Sequence, residues 1–299
     1  MSNRRLTPLV SLAAALTLAV LLPAQAADGL PRIAGPALQS ASFLVVDETG
    51  RAIVGKRTRE LKPIASITKL MTAMVVLDAG LPLDQPVTID ESDRDVLRHS
   101  RSRLRIDRAA TLPRGEMLAV ALMSSDNRAA SALGRTSLPG GKPAFVEAMN
   151  RKAQSLGMTD SQFADPTGLN GDNRSTAEDL VKMVRAAVGY PLIREITSRG
   201  SMTVRPYGNE ATLEYRNTNP LVRSPEWHVE LSKTGFVNEA GHCLVMRAQI
   251  GGKPLDIVLL DSAGKHTPMG DAVRLRQWLE SSAATRTDRM ASSQWNDWE

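Results

Sequence analysis

Only one cysteine, Cys243, occurs in the 299 residues. That excludes an intrachain disulfide and any cysteine-clustered zinc site. Four scattered histidines leave little material for another kind of metal centre. Aromatic residues are also scarce, at 4%. Beyond residue 26 no apolar run is long enough to cross a bilayer as a helix. Nor is there a strong excess of one charge. The net charge is +5, and two of those charges, Arg4 and Arg5, sit in the first segment, so no nucleic-acid partner is required. With 42% hydrophobic and 23% charged residues the chain is globular rather than disordered, long enough for one large domain or two small ones.

Residues 1–26 read as a cleavable signal peptide. Arg4 and Arg5 make a positive start, Leu9 to Leu22 is apolar, and Ala24-Gln25-Ala26 is the small-x-small pattern of a cleavage site. The apolar run is shorter than the roughly 20 residues a spanning helix needs. The expectation is a mature, soluble protein in the periplasm, with at most a loose membrane association.

The mature chain opens with strands at 42–47 and 52–56, and a helix is expected from Ser66 to about Asp78. Residues 83–111 look irregular. Helices are expected at 113–124, after Asn127, at 145–156 and at 176–188. From Met202 the pattern turns to strands, at 202–205, 211–216, 228–234, 243–250 and 254–261, with Gly251-Gly252 as a hairpin turn. A last amphipathic helix is expected at 268–279, and the polar residues 281–299 read as a loose tail. The fold expected is α+β, one antiparallel sheet flanked by helices, with a helical subdomain at about 80–190 inside a single domain of residues 27–280.

Three short motifs carry chemistry. Ser66-Ile67-Thr68-Lys69 places a hydroxyl and an amine on one helix face. Serine is a poor nucleophile until a base takes its proton, and a lysine kept neutral by burial can do so. Ser-x-x-Lys arises about once by chance in a chain of this size, and a second copy, Ser262-Ala263-Gly264-Lys265, follows a strand and reads as a loop. Ser125-Asp126-Asn127, at a helix junction, can point a hydroxyl and an amide into a cleft. Lys233-Thr234-Gly235 ends a strand, where an ammonium and a hydroxyl can hold a carboxylate beside a residue with no side chain. Taken singly, each has a bland reading as a surface pair, a helix cap or a strand end. Together and in this order they form the signature of class A β-lactamases and penicillin-binding proteins.

Other patterns carry less. Gly50 to Lys56 fits the first positions of a phosphate loop, but Arg57 stands where Ser or Thr should bind magnesium. The arginines at 94, 98, 101, 103, 105 and 108 alternate with Asp93, Asp95 and Asp107 and lack interleaved aromatics, so a solvated face is expected. No serine lies in a Gly-x-Ser-x-Gly context, which argues against a histidine-based hydrolase.

With these motifs the chain resembles the low-molecular-mass penicillin-binding serine D,D-peptidases. Pro63 to Thr72 is similar to their nucleophile helix, and Asp165-Pro166-Thr167-Gly168-Leu169 followed by Ser175 to Leu180 is similar to their mid-domain signature. Ala121 to Ser125, Arg216 to Asn219 and Gly241 to Arg247 resemble the endopeptidase branch. The likeness covers about residues 42–280. It implies a Ser66 acyl-enzyme that hydrolyses D-alanyl cross-links of peptidoglycan and is acylated by β-lactam antibiotics. Lys69 would act as base, Ser125 as proton relay, and Asn127, Lys233, Thr234 and Gly235 as substrate-binding residues. The N–H groups of Ser66 and Phe236 would form the oxyanion hole, and no metal or organic cofactor is implied. The rival readings are a D,D-carboxypeptidase, a β-lactamase, and a non-hydrolytic penicillin sensor or cell-wall scaffold. The nearest candidate for a β-lactamase's deacylating glutamate, Glu147 with Asn150, falls in an expected helix at the wrong spacing.

Overall fold

A five-stranded antiparallel sheet organises the molecule. The computed structural model describes residues 35–97, 102–208 and 212–295, with side chains to residue 282. The expected signal peptide, and Arg98 and Arg101 of the arginine series, lie outside the described residues. In chain order the elements are β1 Ser42–Val46, β2 Ala52–Lys56, β3 Lys62–Pro63, α1 Thr68–Asp78, β4 Pro86–Thr88, β5 Thr111–Pro113, α2 Arg114–Met123, α3 Asn127–Thr136, α4 Gly141–Ser155, β6 Arg174–Ser175, α5 Ala177–Val188, α6 Pro191–Ser198, β7 Ser201–Val204, β8 Leu213–Arg216, β9 His228–Val237, β10 Gly241–Ile250, β11 Lys253–Ser262 and α7 Thr267–Trp295.

The sheet order is β2-β1-β11-β10-β9. The first and last strands therefore pair at its centre, with Ser42 opposite Leu260 and Val46 opposite Asp256. Gly251 and Gly252, at φ 60° and 74°, make the tight turn between β10 and β11, a backbone that side chains with a Cβ resist. Side chains alternate between the two faces, as a pleated strand requires. Leu44, Val46, Val258 and Leu260 face a core shared with α1 to α6. Phe43, Val45, Leu255, Ile257 and Leu259 face a second core closed by Ala272 and Leu275 of α7.

Helix α1 is buried along every residue from Thr68 to Val76. Its sequence has no charged stripe, so it is the buried axis of the helical side rather than a surface helix. It does not begin at Ser66: a single 3-10 turn, Ala65–Ile67, precedes it. The expected strands near 202 and 213 do form, but β7 and β8 pair only with each other. The region 83–111 holds another small pair, β4 with β5. The last helix runs well past residue 279, taking in most of the segment read as a loose tail. Between Glu280 and Trp295 there is no glycine or proline to stop it. Two decoys resolve simply. Residues 52–56 of the phosphate-loop-like stretch are strand β2, and Ser262 is the buried end of β11.

Candidate active site

The turn that carries Ser66 is held from three sides. Ile64 N–H donates to Asn173 O at 3.0 Å, and Thr68 Oγ1 donates to Ala65 O at 2.7 Å. Ala65 itself sits at φ 47°, the left-handed region that a residue with a Cβ enters only under constraint. Two glycines make room for the turn. At Gly168, φ 81°, a Cβ would lie 2.0 Å from Ala65 O; at Gly235 a Cβ would lie 2.9 Å from Ile64 O and 3.2 Å from Ser66 N.

One helical turn on, Lys69 is 1% exposed. Its Nζ lies 2.9 Å from Ser66 Oγ, 2.7 Å from Asn127 Oδ1 and 2.6 Å from Thr167 O. Burial pulls its pKa down to about 8, against the opposing pull of Asp165, Asp126 and Asp95. The carbonyl of Thr167 is aimed by a small carboxylate-centred loop. Asp165 Oδ1 accepts from the N–H of Thr167 and of Gly168 and from Thr167 Oγ1, while Oδ2 accepts from Asn170 N–H at 2.7 Å. Thr72 Oγ1 ties the same loop to α1 by donating to Pro166 O at 2.7 Å.

Ser125 lies between α2 and α3 at φ 63°. Asp126 caps α3, accepting from Ala129 N–H at 3.1 Å, and also accepts from Ser102 Oγ at 2.9 Å. This capping starts the helix at Asn127 and turns that side chain toward Lys69. Opposite, Lys233 of β9 is 1% exposed. Its Nζ donates to Ser125 Oγ at 2.9 Å and to Thr234 O at 2.8 Å. Burial, and next the charge of Lys69, hold its pKa well below the usual lysine range. Thr234 Oγ1 donates to Thr218 Oγ1 at 2.7 Å.

Ser66, Ser125, Asn127, Thr234, Gly235 and Phe236 line one groove of about 840 Å³, and Lys69 and Lys233 lie buried beneath its hydroxyls. All eight residues singled out from the sequence thus surround one cleft. Phe236 is half exposed and stacks on His242, ring centroids 4.1 Å apart. Cys243 is buried, and burial pushes its thiol up to about 12, so it is an unreactive wall. No carboxylate lines the groove among the described residues. Glu147 is exposed on α4 and paired with Arg151 at 3.6 Å. The described residues contain no cluster of three or more His, Cys, Asp or Glu able to hold a metal ion.

The roles of Asp165, Thr167, Gly168 and Thr218 escaped sequence reasoning. The stretch Asp165 to Leu169 resembles the family's mid-domain signature, but nothing local says that the Thr167 carbonyl meets a lysine 98 residues earlier.

A family model described as D-alanyl-D-alanine carboxypeptidase matches residues 31–264. The chain belongs to this family. A D-alanyl-D-alanine endopeptidase of Pseudomonas aeruginosa is 46% identical over 95% of the chain and 91% of its own length. One from Escherichia coli K12 is 47% identical over 82% and 79%. Among solved structures, the Streptomyces K15 DD-transpeptidase superposes with a TM-score of 0.75 at 27% identity, covering 82% of this chain and 98% of that one. The family places this protein among the serine peptidases that act on D-alanyl-D-alanine.

Proposed function

We propose that this protein is a serine D,D-endopeptidase that works in the periplasm, hydrolysing D-alanyl cross-links of peptidoglycan and taking β-lactams as covalent inhibitors. The observation that carries the choice of endopeptidase is the 46–47% identity, over most of both chains, to two proteins of that name.

Chemistry follows from the hydrogen bonds of Lys69. A neutral amine has two N–H bonds and one lone pair. Asn127 Oδ1 and Thr167 O, both acceptors, use the two N–H bonds, which leaves the lone pair for the proton of Ser66 Oγ. Ser66 Oγ attacks the D-alanyl carbonyl, Lys69 takes its proton, and the N–H groups of Ser66 and Phe236 receive the negative charge on the carbonyl oxygen. The closeness of Gly235 to Ser66 N supports that pairing of strand and turn. As the C–N bond breaks, the proton passes through Ser125 to the leaving amine. Lys233 and Thr234 hold the carboxylate of the leaving residue. Water then adds to the Ser66 ester, the C–O bond to serine breaks, and the hydroxyl regains its proton.

A D,D-carboxypeptidase would use the same residues, and the description of the matching family favours it as the second reading. Mature protein incubated with cross-linked muropeptide dimers and, separately, with pentapeptide monomers distinguishes the two by mass spectrometry. Dimers should be cleaved faster. Release of terminal D-alanine with dimers left intact would replace the endopeptidase by the carboxypeptidase.

A further inference from the structure

The groove continues past the reacting centre. Beyond Phe236 its walls are Val237, Asn238, His242, Lys265, Pro268 and Met269. β9 is the outermost strand of the sheet and runs along this groove. From Thr234 to Val237 it advances about 10 Å, at the rise of an extended strand. A substrate whose leaving carboxylate sits at Lys233 and Thr234, and whose carbonyl sits at Ser66, must send its acyl part the other way. That path follows the β9 edge toward Lys265, as a peptide adding to an open strand does.

Lys265 belongs to the second Ser-x-x-Lys, which has no task in the chemistry above. Its loop has a fixed shape. Ser262 is buried, its Oγ 2.9 Å from Ser40 Oγ. Thr267 N–H donates to Gly264 O at 3.0 Å, and a Cβ on Gly264 would come within 2.7 Å of Thr267 Oγ1. The lysine is exposed on that frame, at the groove wall. Among the residues lining this stretch of the groove, Lys265 and His242 are the basic ones and none is acidic. Burial first, then Lys265 and His266, hold the His242 imidazole below its usual range, so the three basic side chains share one field. The neighbouring carboxylate, Asp261, is bound to Lys62 at 3.0 Å.

We propose that Lys265 and His242 form a subsite for a carboxylate on the acyl-donor side of the scissile bond, selecting acidic peptide stems. This rests on the endopeptidase reading for its direction along the groove. The stacked rings of Phe236 and His242 give the aliphatic part of the stem a surface to lie on.

Two penicillins test it: carbenicillin bears a carboxylate on its acyl side chain and benzylpenicillin bears none. Acylation of the mature protein by each is followed by intact mass. In Lys265→Gln the ratio of carbenicillin to benzylpenicillin rates should fall about 5- to 20-fold, the size of one charge-assisted contact at a half-open site. Lys265→Arg should restore it. A ratio equal in wild type and Lys265→Gln would overturn the subsite. Muropeptide dimers with a free or an amidated carboxylate on the donor stem form the second arm, and only the free acid should lose from Lys265→Gln. If the wild type takes both penicillins but leaves dimers intact, the endopeptidase reading fails while the penicillin ratio still decides the subsite.

Discussion

Two buried lysines face each other across the cleft, and they cannot cheaply carry two protons at once. Lys69 has its two N–H bonds committed to oxygen acceptors and is the one suited to be neutral. Lys233 gains a third acceptor when a substrate carboxylate arrives, which draws a proton to it. Only the deprotonated form of Lys69 serves as base, so acylation by a fluorescent penicillin should rise about tenfold per pH unit below its pKa of about 8 and level off above it. Stopped-flow traces from about pH 6 to 9 check this, and a flat profile would assign the base elsewhere. Lys233→Ala should slow acylation by benzylpenicillin about 10- to 150-fold, equivalent to about 1.5–3 kcal/mol of a charge-assisted contact. With a penicillin esterified at its carboxylate the loss should shrink. Equal losses with both compounds would show that the lysine does not read the carboxylate.

At the scale of elements, the cleft is a meeting of short pieces rather than of one motif. The turn at 65–67 contributes Ser66, the junction at 124–127 contributes Ser125 and Asn127, the loop at 165–170 contributes the Thr167 carbonyl, and β9 contributes Lys233, Thr234 and Phe236. Gly168 is where loop and turn press closest. Gly168→Ala adds a Cβ at φ 81° and only 2.0 Å from Ala65 O, so the turn that carries Ser66 must shift. A displacement near 1 Å can cost about 100-fold in rate. Penicillin labelling should drop by about that factor while circular dichroism shows the fold retained; labelling at the wild-type rate would mean that the loop does not set the turn. The three motifs were legible because each places its chemistry within a few residues, on a helix face or a strand end. Thr167 and Asp165 were not, because their partner is chosen by tertiary packing. For the same reason β7 and β8 read correctly as strands but not as a separate pair: alternation fixes a strand's faces and says nothing about its neighbour. The overlong α7 has the opposite cause, since a polar segment without breakers reads as tail and helix alike.

For the whole molecule, the groove decides how long an acyl-enzyme lasts. With no carboxylate lining it among the described residues, the groove has no acidic side chain of the kind a β-lactamase uses to activate water against a bound penicillin. Mixed with excess benzylpenicillin, the protein should hold a one-to-one adduct by intact mass for minutes. Steady hydrolysis at about one turnover per second or faster would instead place it with the β-lactamases.

The pairing of β1 with β11 has a consequence in time rather than space. Residue 42 finds its sheet partner only at residue 260, so the central pair closes a loop of more than two hundred residues. Contacts this distant in sequence form slowly, because the entropy of loop closure is lost before any pairing compensates it. Until the C-terminal strands emerge, β1 has its hairpin mate β2 and no core sheet, and Lys233 cannot reach Ser125. A ribosome-bound or interrupted chain is thus without activity. Folding of the full-length chain should therefore be slow, which suits the threading through an export channel that the periplasmic protein proposed here requires.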